Sequence, residues 1–141
     1  MSFWTEYVIA DVADAEAVAA HDSPRNRWPG FEGYKLFGPP HMAALHQALG
    51  HSAADWSDVI EVTFGEENCV HQLPPALVSA LAKIEPEELS AVSSAWSVAL
   101  SETSVRYEAE TLKPLLDNLR ELAVRANADG RPVLMWQCMV G

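Results

Sequence analysis

The closing segment of this chain constrains its fold more than any other. Leu112, Leu115, Leu116, Leu119, Leu122, Ala123 and Ala126 recur at steps of three and four, the mark of a helix with one apolar face. Lys113, Asp117, Arg120, Glu121 and Arg125 lie mostly off that face. Asp117 and Glu121 repel at i,i+4, and Arg120 and Arg125 offset them, at ~0.3 kcal/mol per pair. Pro114 has no N–H and fits a first turn, with Thr111 as N-cap; a start nearer Glu108 requires the helix to bend. Asp129-Gly130 supplies a left-handed stop. Val133, Leu134, Met135, Trp136, Cys138, Met139 and Val140 then form a nearly continuous apolar run. A strand apolar on both sides belongs inside a sheet, so this end is expected to be buried structure and not a tail.

Upstream, Phe3–Ala10 alternates as a strand, and Asp11 opens a short Ala-rich helix at Val12–His21. Asp22–Gly33 is rich in turn residues, and Tyr34–Phe37 reads as a short strand. Gly38-Pro39-Pro40 starts a helix that ends at Gly50, with Met42, Leu45 and Leu49 inward. Asp58–Phe64 and Asn68–Leu73 flank Gly65-Glu66-Glu67, a β-hairpin pattern. Helices are expected at Ala76–Lys83 and Pro86–Leu100, the latter with Leu89, Val92, Trp96 and Leu100 inward. The helices cluster after the hairpin and do not alternate with strands. That favours an α+β domain with a mixed or antiparallel sheet of four or five strands, packed mainly by helices of the second half.

At 141 residues, half of them apolar, the chain suits one domain with a substantial core. It has no apolar run long enough for a membrane span and begins without a basic leader, so a cytoplasmic protein is expected. Cys69 and Cys138 sit in apolar strand-like runs and read as reduced core residues. A net charge of −11 argues against nucleic-acid binding, which needs a basic surface.

The common phosphate-loop, dinucleotide, zinc-protease, redox-cysteine and serine-hydrolase motifs are absent from the sequence. His41 and His46 are five apart, about 140° off one helix face. His71 lies on a strand. His41, His71 and Cys69 become a composite site only if the fold joins them. Cys69 has acidic surroundings that raise a thiol pKa, which disfavours a nucleophile. Glu66 and Glu67 are better read as a solvated hairpin tip than as an acid/base pair. No catalytic residue, metal ligand or cofactor is therefore expected.

Two features point to binding. The segment Arg25–Tyr34 carries Trp28, Phe31, Tyr34 and two arginines, and is either an exposed contact surface or a flap folded over the core. Between Ser52 and Glu110 stand eleven acids against two bases, Lys83 and Arg106, so most of the net charge is confined there. Gathered on one face, such a bias attracts a basic partner.

Pro74-Pro75-Ala76-Leu77-Val78, the Ala95-Trp96 pair within a helix, the Leu/Ala helix and Gly130-Arg131-Pro132-Val133-Leu134-Met135-Trp136 carry a resemblance. From Leu73 onward the chain looks like small uncharacterised bacterial proteins. In layout and acidity it is similar to immunity proteins of bacterial toxin systems. The resemblance implies a cytoplasmic, non-enzymatic inhibitor of a basic partner such as a nuclease toxin. The expected contacts are Asp58, Glu61, Glu66 and Glu67 on the hairpin, Glu87 and Glu88 at a helix start, and Trp28 as anchor. One alternative is a small-molecule or enzymatic pocket at Arg25–Tyr34, with Arg25, Arg27 or Lys35 meeting an anion. The other is a homo-oligomer subunit pairing through Val133–Val140 as an exposed edge.

Overall fold

The computed structural model describes residues 2–33, 38–51, 59–102 and 106–140, with backbone alone at 2, 3 and 140. Ser2–Ile9 forms β1, Ala15–Ala20 α1, Gly30–Glu32 β2 and Pro39–Ala48 α2. Glu61–Phe64 and Asn68–Gln72 form β3 and β4; then come α3 at Pro75–Ala82, α4 at Leu89–Ser101, α5 at Ala109–Asp129 and β5 at Val133–Val140. Short 3₁₀ turns at Val12–Asp14, Pro24–Asn26 and Pro86–Glu88 lead into α1, β2 and α4. The strands make one antiparallel sheet in the order β2-β1-β5-β4-β3. The α+β expectation holds, and β5 is the central strand, as its two-sided apolar run requires. An exposed edge at Val133–Val140, the premise of the oligomer reading, is thereby excluded. The strand expected at Tyr34–Phe37 lies outside the described residues.

The sheet's two faces carry different loads. Tyr7, Ile9, Val133 and Met135 face the helical layer, where Met42, Leu45, Leu77, Leu81, Trp96, Leu100 and the Leu face of α5 complete the main core. The Trp96 indole N–H donates to the His41 carbonyl at 3.1 Å and ties α4 to α2. On the opposite face, Val8, Val70, Leu134 and Trp136 pack under Ala15, Val18 and Ala19 of α1, a helix of under two turns.

α5 begins at Ala109, with Glu108 extended ahead of it, so Thr111 is not the cap and Pro114 sits in the second turn. The hydrogen bond that Pro114 cannot make would have gone to the carbonyl of Glu110, which is exposed and can be served by water. Gly130, at φ 66°, ends the helix, and the Arg131 N–H donates to the Ala126 carbonyl at 3.0 Å.

β2 is not legible as a strand in its own sequence. A Cβ at Gly30 would lie 2.0 Å from the Tyr7 carbonyl oxygen, so only glycine lets the chain approach β1 this closely. The stretch before it is held by Glu6, 1% exposed on the α1 side of the sheet. The Glu6 carboxylate accepts from the Trp4 indole N–H at 3.1 Å, the Ser23 hydroxyl at 2.9 Å and the Arg25 backbone N–H at 3.0 Å. Three donors satisfy a buried carboxylate that would otherwise be costly to desolvate.

Candidate functional site

The β3–β4 hairpin closes through Gly65, at φ 64°, with Glu66 and Glu67 completing the turn. Its alternation sends Val62 and Phe64 to the α1 side and Glu61 and Thr63 to the helical side. The hairpin therefore presents different chemistry on its two faces.

On the α1 side, a cleft of about 460 Å³ opens between the hairpin and the end of α1. Phe64, Gly65, Glu66, Glu67 and Asn68 form one wall, Ala20 and Asp22 the other, and Trp136 and Cys138 the floor. No base lines it. The Cys138 thiol is pushed up by burial, then by the Glu67 and Asp22 carboxylates, so the field on the floor is negative. Trp136 is buried, and its indole N–H has no hydrogen-bond partner among the described residues. Phe64 is 53% exposed, the one aromatic among the described large apolar residues left open to solvent. The Asn68 side-chain amide donates to the Ala19 carbonyl at 2.8 Å and fixes the hairpin against α1.

On the helical side, Cys69 and His71 are two apart on β4 and so share a face, and Glu61 is the cross-strand partner of His71. Cys69 Sγ lies 3.6 Å from His71 Nδ1 and 4.0 Å from Glu61 Oε1, and His71 Nε2 lies 3.6 Å from Glu61 Oε2. Burial and, after it, the Glu61 carboxylate push the Cys69 thiol up to about 11. The direction agrees with the acidic surroundings, with burial the larger cause, and favours the thiol over the thiolate. Burial lowers His71, and Glu61 opposes that effect. The fold thus joins two members of the composite site, with Glu61 in place of His41. His41 instead accepts the Gly38 N–H on Nδ1 at 3.0 Å at the start of α2.

The other expected contacts divide by location. Glu66 and Glu67 stand at the cleft. Glu61 points to the other face. Glu87 and Glu88 lie in the turn before α4, within the helical layer, where Glu88 accepts the Glu85 N–H at 2.9 Å. Asp58 lies outside the described residues. The described acids among these contacts are therefore spread over the hairpin and the helical layer. Trp28 folds back: it packs on the smaller core, meets His21 edge-on at 5.8 Å, and carries the Arg27 guanidinium 4.8 Å above its ring. Phe31 stacks on Tyr7 at 5.2 Å.

Of the three cations expected at the Arg25–Tyr34 pocket, Arg25 is already engaged, its guanidinium meeting Glu32 at 2.8 Å and Glu6 at 3.9 Å. Lys35 lies outside the described residues. Phe64 and Asp22 carried no site expectation; Phe64 at a hairpin end is a usable signal in the sequence, whereas Asp22 joins the cleft only through the tertiary fold. Register also puts Cys69 opposite Gln137 and Cys138 opposite Asn68, on opposite faces, so the two cysteines cannot bridge each other within one chain.

Among the described residues no helix is long and apolar enough to cross a membrane. Comparison with protein-family models, curated proteins and solved structures finds no match to the chain.

Proposed function

We propose that this chain is a non-catalytic binding module for a basic protein, acting in the manner of an immunity protein that covers a basic toxin or enzyme. The cleft of Phe64, Glu66, Glu67, Asp22 and Trp136 is the contact site. One observation carries this reading: an exposed aromatic stands beside a cleft that is acidic and, among the described residues, lined by no base. A lysine or arginine of the partner enters the cleft. Its charge meets the three carboxylates, and its stem packs against Phe64 at the rim. The carboxylates speed encounter, and the aromatic contacts slow dissociation.

The test is affinity capture from lysate of the source cells at low and high salt, with wild type beside Glu66→Lys/Glu67→Lys and Phe64→Ala. A stoichiometric basic protein is expected, weakened by salt, lost with the double reversal and reduced at least about tenfold by Phe64→Ala. A partner held equally by all three proteins places the contact elsewhere and removes the reading.

A further inference from the structure

We infer that Glu61, Cys69 and His71 form a binding site for a borderline-soft divalent cation of the zinc class. This site is separate from the acidic cleft and lies on the other face of the same hairpin.

The first argument is chemical. Thiolate, imidazole and carboxylate are the three protein donors that zinc takes, the Cys69 thiol proton being released to solvent as the Zn–S bond forms, and a thiolate with an imidazole disfavours magnesium and calcium, which choose oxygen alone. The second is geometric. One donor atom from each residue can be chosen so that all three lie within 4.8 Å of one another. Tetrahedral zinc, with bonds of about 2.0 to 2.3 Å, sets its donors about 3.4 to 3.6 Å apart. Taking Nε2 of His71, the closest approaches are 3.9 Å to Cys69 Sγ and 3.6 Å to a Glu61 oxygen, with 4.0 Å from Sγ to the other Glu61 oxygen. With a single Glu61 oxygen as donor the set lies within 4.8 Å and must contract by up to about 1 Å to reach the tetrahedral spacing, and side-chain rotation at Glu61 supplies it, because that residue is 61% exposed.

The third argument is placement. Cys69 and His71 stand on β4, which is paired on both sides, by β3 and by β5. Their separation is fixed by the strand repeat, and His71 faces Glu61 directly across the ladder. Two donors are thus preorganised, and the third is mobile enough to close on the ion. Three protein donors leave the fourth tetrahedral position to water or to an incoming ligand.

The experiment uses the chelator-treated, reduced full chain, competed for Zn²⁺ against a chromophoric indicator and then titrated with Co²⁺. One Zn²⁺ per chain is expected. The Co²⁺ form should show a thiolate-to-cobalt charge-transfer band together with the intense d–d bands of a tetrahedral site. Cys69→Ser abolishes the charge-transfer band, and Glu61→Gln weakens Zn²⁺ binding at least about tenfold. Cys138→Ser, the only other cysteine, keeps the band. Far-ultraviolet circular dichroism confirms folding of each variant, and the exposed position of Glu61 keeps that arm informative if Cys69→Ser does not fold. Absence of stoichiometric binding overturns the inference. So does undiminished binding in Glu61→Gln/Cys69→Ser/His71→Asn, which assigns the ion to other histidines. Glu66→Lys/Glu67→Lys leaves Zn²⁺ binding intact, so the cleft and the metal site can fail independently.

Discussion

The two faces of the sheet are built from the same strands and covered very differently. One lies under four helices, including a 21-residue helix with seven buried residues. The other lies under a six-residue helix and a turn pinned by Glu6. The four helices bury the first face except at the β3–β4 end, where Glu61 and Thr63 stay exposed, whereas one short helix leaves a strip of the other face open. The cleft over Trp136 and Cys138 is that strip. Stability is thereby concentrated on one side, and access to the sheet is left on the other.

The contrast predicts unequal mutational costs. Leu116→Ala, in the main core, should lower unfolding stability by about 4 kcal/mol. Val18→Ala, under α1, should cost about 2 kcal/mol by the same urea titration. Equal losses would show that the thin face is as consequential as the thick one. Glu6→Ala should cost about 2 kcal/mol, since three donors lose their acceptor, and should speed hydrogen exchange in Ser23–Trp28 while sparing α5. Uniform acceleration across both layers would mean that Glu6 supports the whole domain and not one face.

Acid should act on the helix-covered side. Burial lowers His41, His46 and His71 below the ordinary imidazole value, with His51 adding to the effect at His46. The unfolded chain then takes up protons first as pH falls. Stability is full above about pH 6.5 and declines as pH drops through the lowered folded-state values. The urea midpoint at about pH 5 should therefore lie below that at about pH 7.5, and His46→Leu should flatten the difference. The smallest effect belongs to the cleft: Glu66→Lys/Glu67→Lys should change stability by under about 0.5 kcal/mol, since both side chains are exposed. A larger loss would make these acids structural and weaken their assignment as contacts.

The thick face was largely legible in the sequence, because helical periodicity reports directly on one buried stripe. The Leu steps of α5, the Pro starts of α2 and α3, and the two-sided run of β5 needed no tertiary information. The hairpin was legible from Gly65-Glu66-Glu67. The thin face was not. β2 is three residues long and exists because Gly30 lets β1 approach. Glu6 sits at an alternating position that gives no sign of three buried partners. Trp28 could have pointed either way until its packing on the smaller core and against His21 settled it. The Glu61–Cys69–His71 group depends on register: Cys69 and His71 share a face on any strand, but only the cross-strand pairing brings in Glu61.

The position of β5 also bears on biosynthesis. β1 and β4 are joined only through residues 133–140, so a nascent chain still short of them has neither strand's central partner. While the ribosome translates the intervening hundred-odd residues, β1 waits with its inner edge unpaired. Such an edge is a template for pairing between neighbouring chains, and its late closure gives the domain a high contact order and a window of vulnerability during synthesis.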